Sequence, residues 1–266
     1  MKIIVCVKQV PDTSGKVAVN PDGTLNRASM ATITNPDDLN AVEAALVLKE
    51  QTGAEVVVVS MGPPPAEGML REVMARGVDR AVLVSGREFG GSDTYATSQI
   101  LAAAINKIGV EEGDIVMCGR QAIDGDTAQV GPQIAEKLGL PQISYAADIQ
   151  LDGKTVTVKR MLEDGYMTVK TQTPCLITCI KELNEPRYMS VYGIFDCYSK
   201  PYEVLDYNAL KDDPLIDPST IGLMGSPTNI LTSFTPPQKG AGMMLEGADK
   251  ATCDQLAGML AAKHMI

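Results

Sequence analysis

The sequence has little histidine and no cysteine pattern typical of a metal site. Its one histidine, His264, lies at the far C-terminal end of the 266 residues. We therefore expect neither a histidine-based catalytic centre nor a metal site with several histidine ligands. The six cysteines lack metal-ligand spacing, which in a chain without a recognisable secretory signal fits reduced cytosolic thiols. Cys175 and Cys179 lie four apart in an apolar run and are expected to share one buried face of a strand.

Long apolar runs and positive charge are also scarce. No run reaches the length of a membrane-spanning helix, and the opening residues MKIIVCVK predict a strand rather than a signal peptide. Lysine and arginine number 23 against 33 aspartates and glutamates, a net charge of −10. Nucleic acids and anionic membrane surfaces both attract positive charge. We therefore expect a cytoplasmic protein with no nucleic-acid partner and no membrane insertion.

The first half of the chain alternates apolar runs with helical patterns. Strands are predicted at 3–7, 55–60, 81–85 and 114–118, with helical patterns between or after them at 35–53, 69–77, 95–108 and 126–139. A small hairpin is predicted at Val17–Leu25, turning at Asp22-Gly23. This alternation predicts an α/β fold, a doubly wound, mostly parallel, Rossmann-like sheet.

The alternation of strand and helix patterns stops after Pro141. Between Ile143 and Ile180, short β-rich runs and turn signals such as Asp152-Gly153 predict an antiparallel extension beside the parallel sheet. From Lys181 onward the pattern is irregular, apart from a last helix at Asp249–Lys263. We therefore divide the chain into an α/β domain, 1–199, and a C-terminal arm with its helix, 200–266.

The arm is expected to pack on a partner rather than on its own domain, because long segments with few regular elements are usually functional or wrapped on something else. Its apolar residues follow no period that would build a core: Leu215, Ile216, Ile221, Leu223, Ile230, Leu231 and Phe234.

The most informative stretch runs from Val116 to Gly139. A buried strand ends at Gly119, a polar loop follows, and a helix with an apolar face begins near Val130. In open α/β sheets ligands bind outside the carboxyl ends of the strands, where backbone N–H groups and a helix N-terminus can hold phosphate. The same pattern also fits a plain connection. Asp124 and Asp126 could form a carboxylate pair for acid–base or metal chemistry, but helix capping by Asp126 or Thr127 and ribose contacts fit better.

Several exact motifs carry a resemblance to a known family. They occur in order as IIVCVKQVPD, NPDDLNAVEAA, GRQAIDGDTAQVGPQIAEKLGLP, VKRMLEDGYMTVKT and LNEPRYMSV. From end to end the chain resembles the beta subunits of electron-transfer flavoproteins, in particular the bifurcating type.

The resemblance implies an adenine nucleotide at the strand ends, AMP in the housekeeping type and FAD in the bifurcating type. For Asn35 a plain helix cap, and for Cys6 and Met61 core packing, are the alternatives. The glycines and donors of FGGSDT are expected to form a wall beside the flavin, unless that segment is an ordinary capped connection. The implied cofactor-binding residues are Cys6, Asn35, Pro36, Asp37, Asp38, Met61, Gly90, Asp93, Thr94, Thr97, Gly119, Arg120, Gln121, Ala122, Ile123, Asp124, Gly125, Asp126, Thr127, Ala128, Gln129 and Val130.

One difference within the loop favours FAD over AMP. The AMP-holding type resembles D-D-D-C-N-Q-T where this chain has DGDTAQV, 124–130. Gly125 removes a carboxylate, and Ala128 and Val130 lack the polar groups of their counterparts. Less negative charge and bulk would favour a second phosphate and a ribityl chain.

The resemblance also implies partners and an activity. The chain would form a heterodimer with an alpha subunit, and its FAD would accept hydride from NADH. Electrons would go to ferredoxin or flavodoxin and, through the alpha-subunit FAD, to an acyl-CoA dehydrogenase. Arg160 and Glu163 would face the partner's flavin domain, and the segment Arg187–Cys197 would dock the dehydrogenase. The alternatives are a non-bifurcating carrier that holds AMP and a nucleotide-binding α/β module without redox work.

Overall fold

A computed structural model describes residues 1–12, 31–228, 231 and 240–266. The hairpin predicted at Val17–Leu25, and the arm residues Ile230 and Phe234, lie outside these residues. Within them the strands are β1 (Lys2–Cys6), β2 (Gln9–Pro11), β3 (Thr32–Thr34), β4 (Glu55–Met61), β5 (Arg80–Val84), β6 (Ile115–Gly119), β7 (Gln142–Asp152), β8 (Thr155–Met161), β9 (Tyr166–Gln172), β10 (Cys175–Cys179) and β11 (Tyr202–Leu205). The helices are α1 (Pro36–Thr52), α2 (Ala66–Ala75), α3 (Thr94–Ile108), α4 (Val130–Leu138), α5 (Val191–Asp196), α6 (Tyr207–Leu210) and α7 (Lys250–Ala262).

The main sheet has the strand order β11-β5-β4-β1-β6-β10-β7-β8-β9. Neighbours from β11 to β7 are parallel, whereas β8 and β9 continue the sheet as antiparallel strands. The run Val56–Val59 is fully buried, as valines in a central parallel strand should be. One apolar cluster, including residues of α1 and α2, lies on one face, and a second, including residues of α3 and α4, lies on the other. The predicted doubly wound, mostly parallel sheet is confirmed.

Strand β10 follows the antiparallel strands β8 and β9 in the chain, but its place in the sheet was not indicated by the sequence. It lies between β6 and β7 and is parallel to both. All five of its residues are buried, so the strand needs cover on both faces and is suited to the interior of the sheet. Cys175 and Cys179 belong to the same apolar cluster, which confirms their shared face.

The boundary expected at 199/200 does not separate the first part of the arm from the α/β domain. Strand β11 pairs with β5, and Leu205, Leu210, Ile216 and Ile221 are buried in the second apolar cluster. The expectation that these residues avoid their own domain was wrong, because short apolar stretches between turns can cover an edge strand without any helical or strand period. By contrast, no residue of 240–266 is buried, although helix α7 forms close to its predicted bounds.

Candidate nucleotide-binding site

The sheet changes winding direction between β1 and β6. Cys6 lies opposite Cys118 at the carboxyl ends of these two strands. From β1 the chain builds β4 and β5 on one side, and then β6 and β10 on the other. Where the connections after two adjacent strands run to opposite sides, a crevice opens between the strand ends. This crevice is the usual ligand site of open α/β sheets.

Asp38, in the first turn of α1, holds the two strand ends together. Its carboxylate accepts a hydrogen bond from the backbone N–H of Lys8 at 2.8 Å and another from that of Gly119 at 3.1 Å. The side chain is buried, and this burial raises the pKa of Asp38 to about 7 although hydrogen bonds from Asn35, Lys8 and Gly119 act in the opposite direction. The carboxylate therefore completes the backbone hydrogen bonding where the β1–β6 ladder ends.

Gly119 is required by this arrangement. A Cβ at this position would overlap the carboxylate of Asp38 and would lie 2.6 Å from the backbone of Asp37 and Asp38. In the sequence this glycine marked only the end of the buried strand. In the structure it lets the first turn of α1 approach strand β6.

Asn35 connects the start of α1 to the loop after β6. Its amide nitrogen donates to the carbonyl of Gln121 at 2.8 Å, and its amide oxygen accepts from the N–H of Ile123 at 3.1 Å. The residue is fully buried, and its side chain makes no capping hydrogen bond to α1. Asn35 is therefore the N-cap residue of α1, as the sequence predicted, but its side chain fixes the first half of the loop instead of capping the helix.

The second half of the loop has an unusual backbone. Asp126 and Ala128 adopt φ angles of 51° and 53°, a left-handed region that residues other than glycine seldom occupy. Such strain persists where the surrounding structure enforces it and occurs often at ligand sites. The expected cap from Asp126 or Thr127 is wrong, since Gln129 precedes α4 and makes no side-chain cap. The carboxylate of Asp126 instead accepts from Gln121 at 2.7 Å.

This backbone leaves a row of unused donors. Within the part of the chain that the structure describes, no hydrogen-bond acceptor is found for the backbone N–H groups of Thr127 to Gly131. The row includes the N-terminal end of α4, where the helix dipole adds partial positive charge. Adjacent N–H groups at a helix start are a typical anion site.

Two cations lie beside the loop. The ammonium of Lys8 contacts both carboxylate oxygens of Asp124 at 2.8 Å, and Arg120 Nε lies 3.3 Å from Asp37 Oδ2. This second pair is close enough for charge attraction but lacks hydrogen-bond geometry, and both of these atoms are buried without a hydrogen-bond partner among the described residues. Burial raises the pKa of Asp37 more than Arg120 lowers it.

The segment between β5 and α3 lies on the other side of the loop that follows β6. Asp93 caps α3 by accepting from Ala96 N–H at 3.1 Å, and its other oxygen accepts from Thr228 N–H at 2.9 Å. Thr94 Oγ1 lies 3.1 Å from Gln129 Oε1, which links this segment to the loop. The capped-connection alternative is thus confirmed for Asp93, while a role beside a flavin stays a prediction for Gly90, Thr94 and Thr97.

The sequence of this chain matches a known family over most of its length. Residues 22–204 match the electron transfer flavoprotein domain. The chain belongs to the electron transfer flavoprotein family.

Relatives of this family member cover its whole length. It is 66% identical over 267 residues to the acryloyl-CoA reductase electron transfer subunit gamma of Anaerotignum propionicum, with 100% of both chains covered. It is 51% identical to the caffeyl-CoA reductase-Etf complex subunit CarD of Acetobacterium woodii, over 99% of this chain and 97% of that one. It is 49% identical to an electron transfer flavoprotein subunit beta of Clostridium acetobutylicum, with 100% of both chains covered. The protein is a beta-type subunit of an electron-transfer complex.

In this electron transfer flavoprotein subunit, the structure brings Asn35, Pro36, Asp37 and Asp38 together with the loop from Gly119 to Val130. Cys6 and Met61 pack in or against the second apolar cluster, as the core-packing alternative predicted. A hydrogen bond with Cys6 and burial raise the pKa of the Cys118 thiol, which disfavours a thiolate. Lys8 was missed by the sequence analysis, although its position directly after β1 could have indicated it. No cluster of three or more histidine, cysteine, aspartate or glutamate side chains suited to a metal occurs in the described ranges.

Proposed function

We propose that this beta-type subunit binds FAD between the start of α1 and the loop Gly119–Val130, in a heterodimer that oxidises NADH and bifurcates the electrons. The observation that carries the proposal is the row of unpaired N–H groups from Thr127 to Gly131 at the start of α4. These groups can hold a pyrophosphate without a lysine directed at it. The row suits an acidic protein, because its donors belong to the backbone.

The arrangement of the loop carboxylates supports a ligand with two phosphates. Asp124 is paired with Lys8, and Asp126 accepts from Gln121, so both negative groups already have partners within the protein. Position 125 is glycine, and a Cβ there would meet nothing within 4 Å, so the loop leaves space beside it. Compared with the loop of the AMP-holding type, this loop has less negative charge and less side-chain bulk, and both differences favour FAD over AMP.

The chemistry would be divided between cofactor and protein. When bound, FAD would supply the redox steps, with hydride taken from NADH and electrons delivered to ferredoxin or flavodoxin and, through the alpha-subunit FAD, to an acyl-CoA dehydrogenase. The residues of this chain would bind and orient it. Asn35 fixes the loop, Asp38 fixes the strand ends, and the N–H groups at 127–131 bind phosphate. We assign no catalytic residue to this chain.

An alpha subunit would cover the C-terminal segment. No residue of 240–266 is buried, and Met243 and Met244 are exposed. The β8–β9 hairpin also projects Tyr166 and Met167 into solvent, with the ammonium of Lys159 3.9 Å from the Tyr166 ring centre. We place Arg160 and Glu163 of this hairpin at the partner's flavin domain.

A further exposed apolar surface would dock the electron acceptor. We call it the docking ledge: Tyr188, Val191, Tyr192, Phe195 and Tyr198, between 73% and 90% exposed. Contiguous exposed apolar residues commonly mark protein interfaces. Two relatives carry the names of an acryloyl-CoA reductase and a caffeyl-CoA reductase complex, which supports an acceptor that acts on acyl-CoA esters.

Cofactor content tests the proposal. We would produce this chain with its alpha subunit, release the nucleotides, and count FAD and AMP per heterodimer. We expect two FAD, no AMP, and direct reduction by NADH. One FAD with one AMP and no reaction with NADH would contradict the proposal and establish the non-bifurcating carrier. Absence of both nucleotides would favour the α/β module without redox work.

A further inference from the structure

The docking ledge follows a short segment that is bound tightly along α1. Asn40 donates to the carbonyl of Asn184 at 2.8 Å and to its side-chain oxygen at 3.1 Å. Asn184 donates back to the carbonyl of Asn40 at 3.0 Å. Asn40 is buried, so this reciprocal pair fixes the chain just before the ledge.

Arg187 makes the next and larger connection. Its guanidinium donates from Nε and Nη2 to the two oxygens of Glu43, at 2.8 and 2.9 Å, and from Nη1 to Glu50 at 2.6 Å. Its backbone N–H also donates to Glu43 at 3.0 Å, and its carbonyl accepts from Arg76. Burial opposes the charged form of Glu43, but the bonds from Arg187 hold the pKa of this carboxyl below its usual value. A bidentate pair of this kind fixes orientation as well as position.

The far end of the ledge is fixed on α2. Gly193 lies so close to the carbonyl of Ala75 that a Cβ would overlap it, and Ser190 caps α5 by accepting from Gly193 N–H at 2.9 Å. Arg71 donates to the carbonyl of Cys197 at 2.8 Å and lies 5.5 Å from the ring centre of Tyr198. Helix α5 is therefore held through its backbone, while its apolar side chains point outward.

We propose that Arg187 and Glu43 are positioning residues that hold the docking ledge in the orientation recognised by an electron acceptor that acts on acyl-CoA esters. This inference rests on the proposed function of the ledge. Burying the five exposed apolar side chains of the ledge against the protein would lower the free energy of the chain. A tight anchor on each side of the ledge is therefore needed to keep these side chains exposed. A segment that is already ordered before binding loses little conformational entropy when the partner binds, so the partner binds more tightly. Neither residue contacts the nucleotide site, so the effect is confined to docking.

The test uses the complete heterodimer with the acryloyl-CoA reductase of Anaerotignum propionicum as electron acceptor. The variants are Arg187→Lys, which keeps the charge but loses the fork, Arg187→Gln, Glu43→Gln, and the double variant of the last two. The matched control is Lys49→Gln, which removes another α1 ion pair, to Asp79, and a bond to the carbonyl of Gly77, but none of the bonds of Arg187. For each we measure KM and kcat with the reductase, reduction of a small dye, and amide hydrogen exchange across 188–198.

We expect KM for the reductase to rise about tenfold in each Arg187 or Glu43 variant, with kcat and dye reduction unchanged. Exchange across 188–198 should become faster, and the double variant should be no worse than either single one. If Arg187→Gln does not fold, the isosteric Glu43→Gln carries the same test. Unchanged KM and exchange in Arg187→Lys and Glu43→Gln, or equal effects in Lys49→Gln, would overturn the inference. If unaltered heterodimer fails to reduce the reductase, that result counts against the proposed acceptor, whereas the exchange measurement still decides the anchor.

Discussion

The carboxylate of Asp38 accepts a hydrogen bond from the backbone N–H of Gly119 at 3.1 Å, in the interior of the protein. This bond joins the first turn of α1 to the end of β6, where the ladder with β1 stops. It makes the candidate nucleotide site dependent on a side-chain carboxylate and a backbone N–H that are both used inside the protein. Variants at these positions can therefore separate the scaffold of the site from its direct ligand contacts.

We predict that Gly119→Val destabilises the protein and loses bound nucleotide together. The new side chain would overlap Asp38 and the backbone of α1, and overpacking of this kind typically costs about 1–3 kcal/mol. Urea unfolding and nucleotide counting of the purified complex check this. Gly125→Ala is the control for stability, because its Cβ would meet nothing within 4 Å. Full nucleotide occupancy in Gly119→Val would show that the loop does not depend on this contact.

The raised pKa of Asp38 predicts a pH dependence of stability. The folded-state pKa is about 7 and the ordinary value is 3.8, so between these values the folded protein keeps a proton that the unfolded chain has lost. The contribution of this group is fully present below pH 3.8 and is lost as the pH rises towards 7, at about 1.4 kcal/mol per pH unit.

We predict that Asp38→Asn removes this slope, so that its stability relative to the original protein increases between pH 5 and 6.5. Urea unfolding across this range measures the difference. Asp152→Asn, on an exposed position remote from the site, should keep the original slope. Parallel curves for Asp38→Asn and the original protein would show that Asp38 is already ionised at pH 5 in the folded state.

Substitutions of Asn35 separate its two hydrogen bonds to the loop. Asn35→Asp keeps an acceptor for Ile123 N–H but loses the donor to Gln121, whereas Asn35→Ala loses both. Leaving buried polar groups unpaired costs about 1–3 kcal/mol each, and Asn35→Asp also buries a carboxyl group beside Asp38, so we predict that both variants are less stable than the original protein. Hydrogen exchange at Ile123 should be faster in Asn35→Ala than in Asn35→Asp. Equal exchange at Ile123 in all three proteins would contradict the assignment.

The sequence predicted the parts of the fold that depend on local pattern. The valines of β4 and the caps and glycines around α1 indicate strands and helices without knowledge of their neighbours. The same rules could not predict that Asn35 turns away from α1 to the loop, because an N-cap position and a tertiary contact use the same residue type. They also could not place β10 between β6 and β7, or β11 on β5, since strand order depends on contacts between residues far apart in the chain.

The exposed C-terminal segment gives a prediction about assembly. Helix α7 forms with Asp249 as its cap, yet none of its residues is buried, and Leu256 remains 47% exposed. A helix of 13 residues is marginal in water without a packed face, so an alpha subunit would supply the missing contacts. We predict that a chain ending at residue 239 keeps the unfolding transition of the α/β domain but binds the alpha subunit at least tenfold more weakly. Size-exclusion chromatography and titration with the purified alpha subunit measure this.

The control is Leu256→Met, which preserves an apolar side chain and should bind normally. If the shortened chain binds the alpha subunit as tightly as the full one, residues 240–266 are not part of the heterodimer interface.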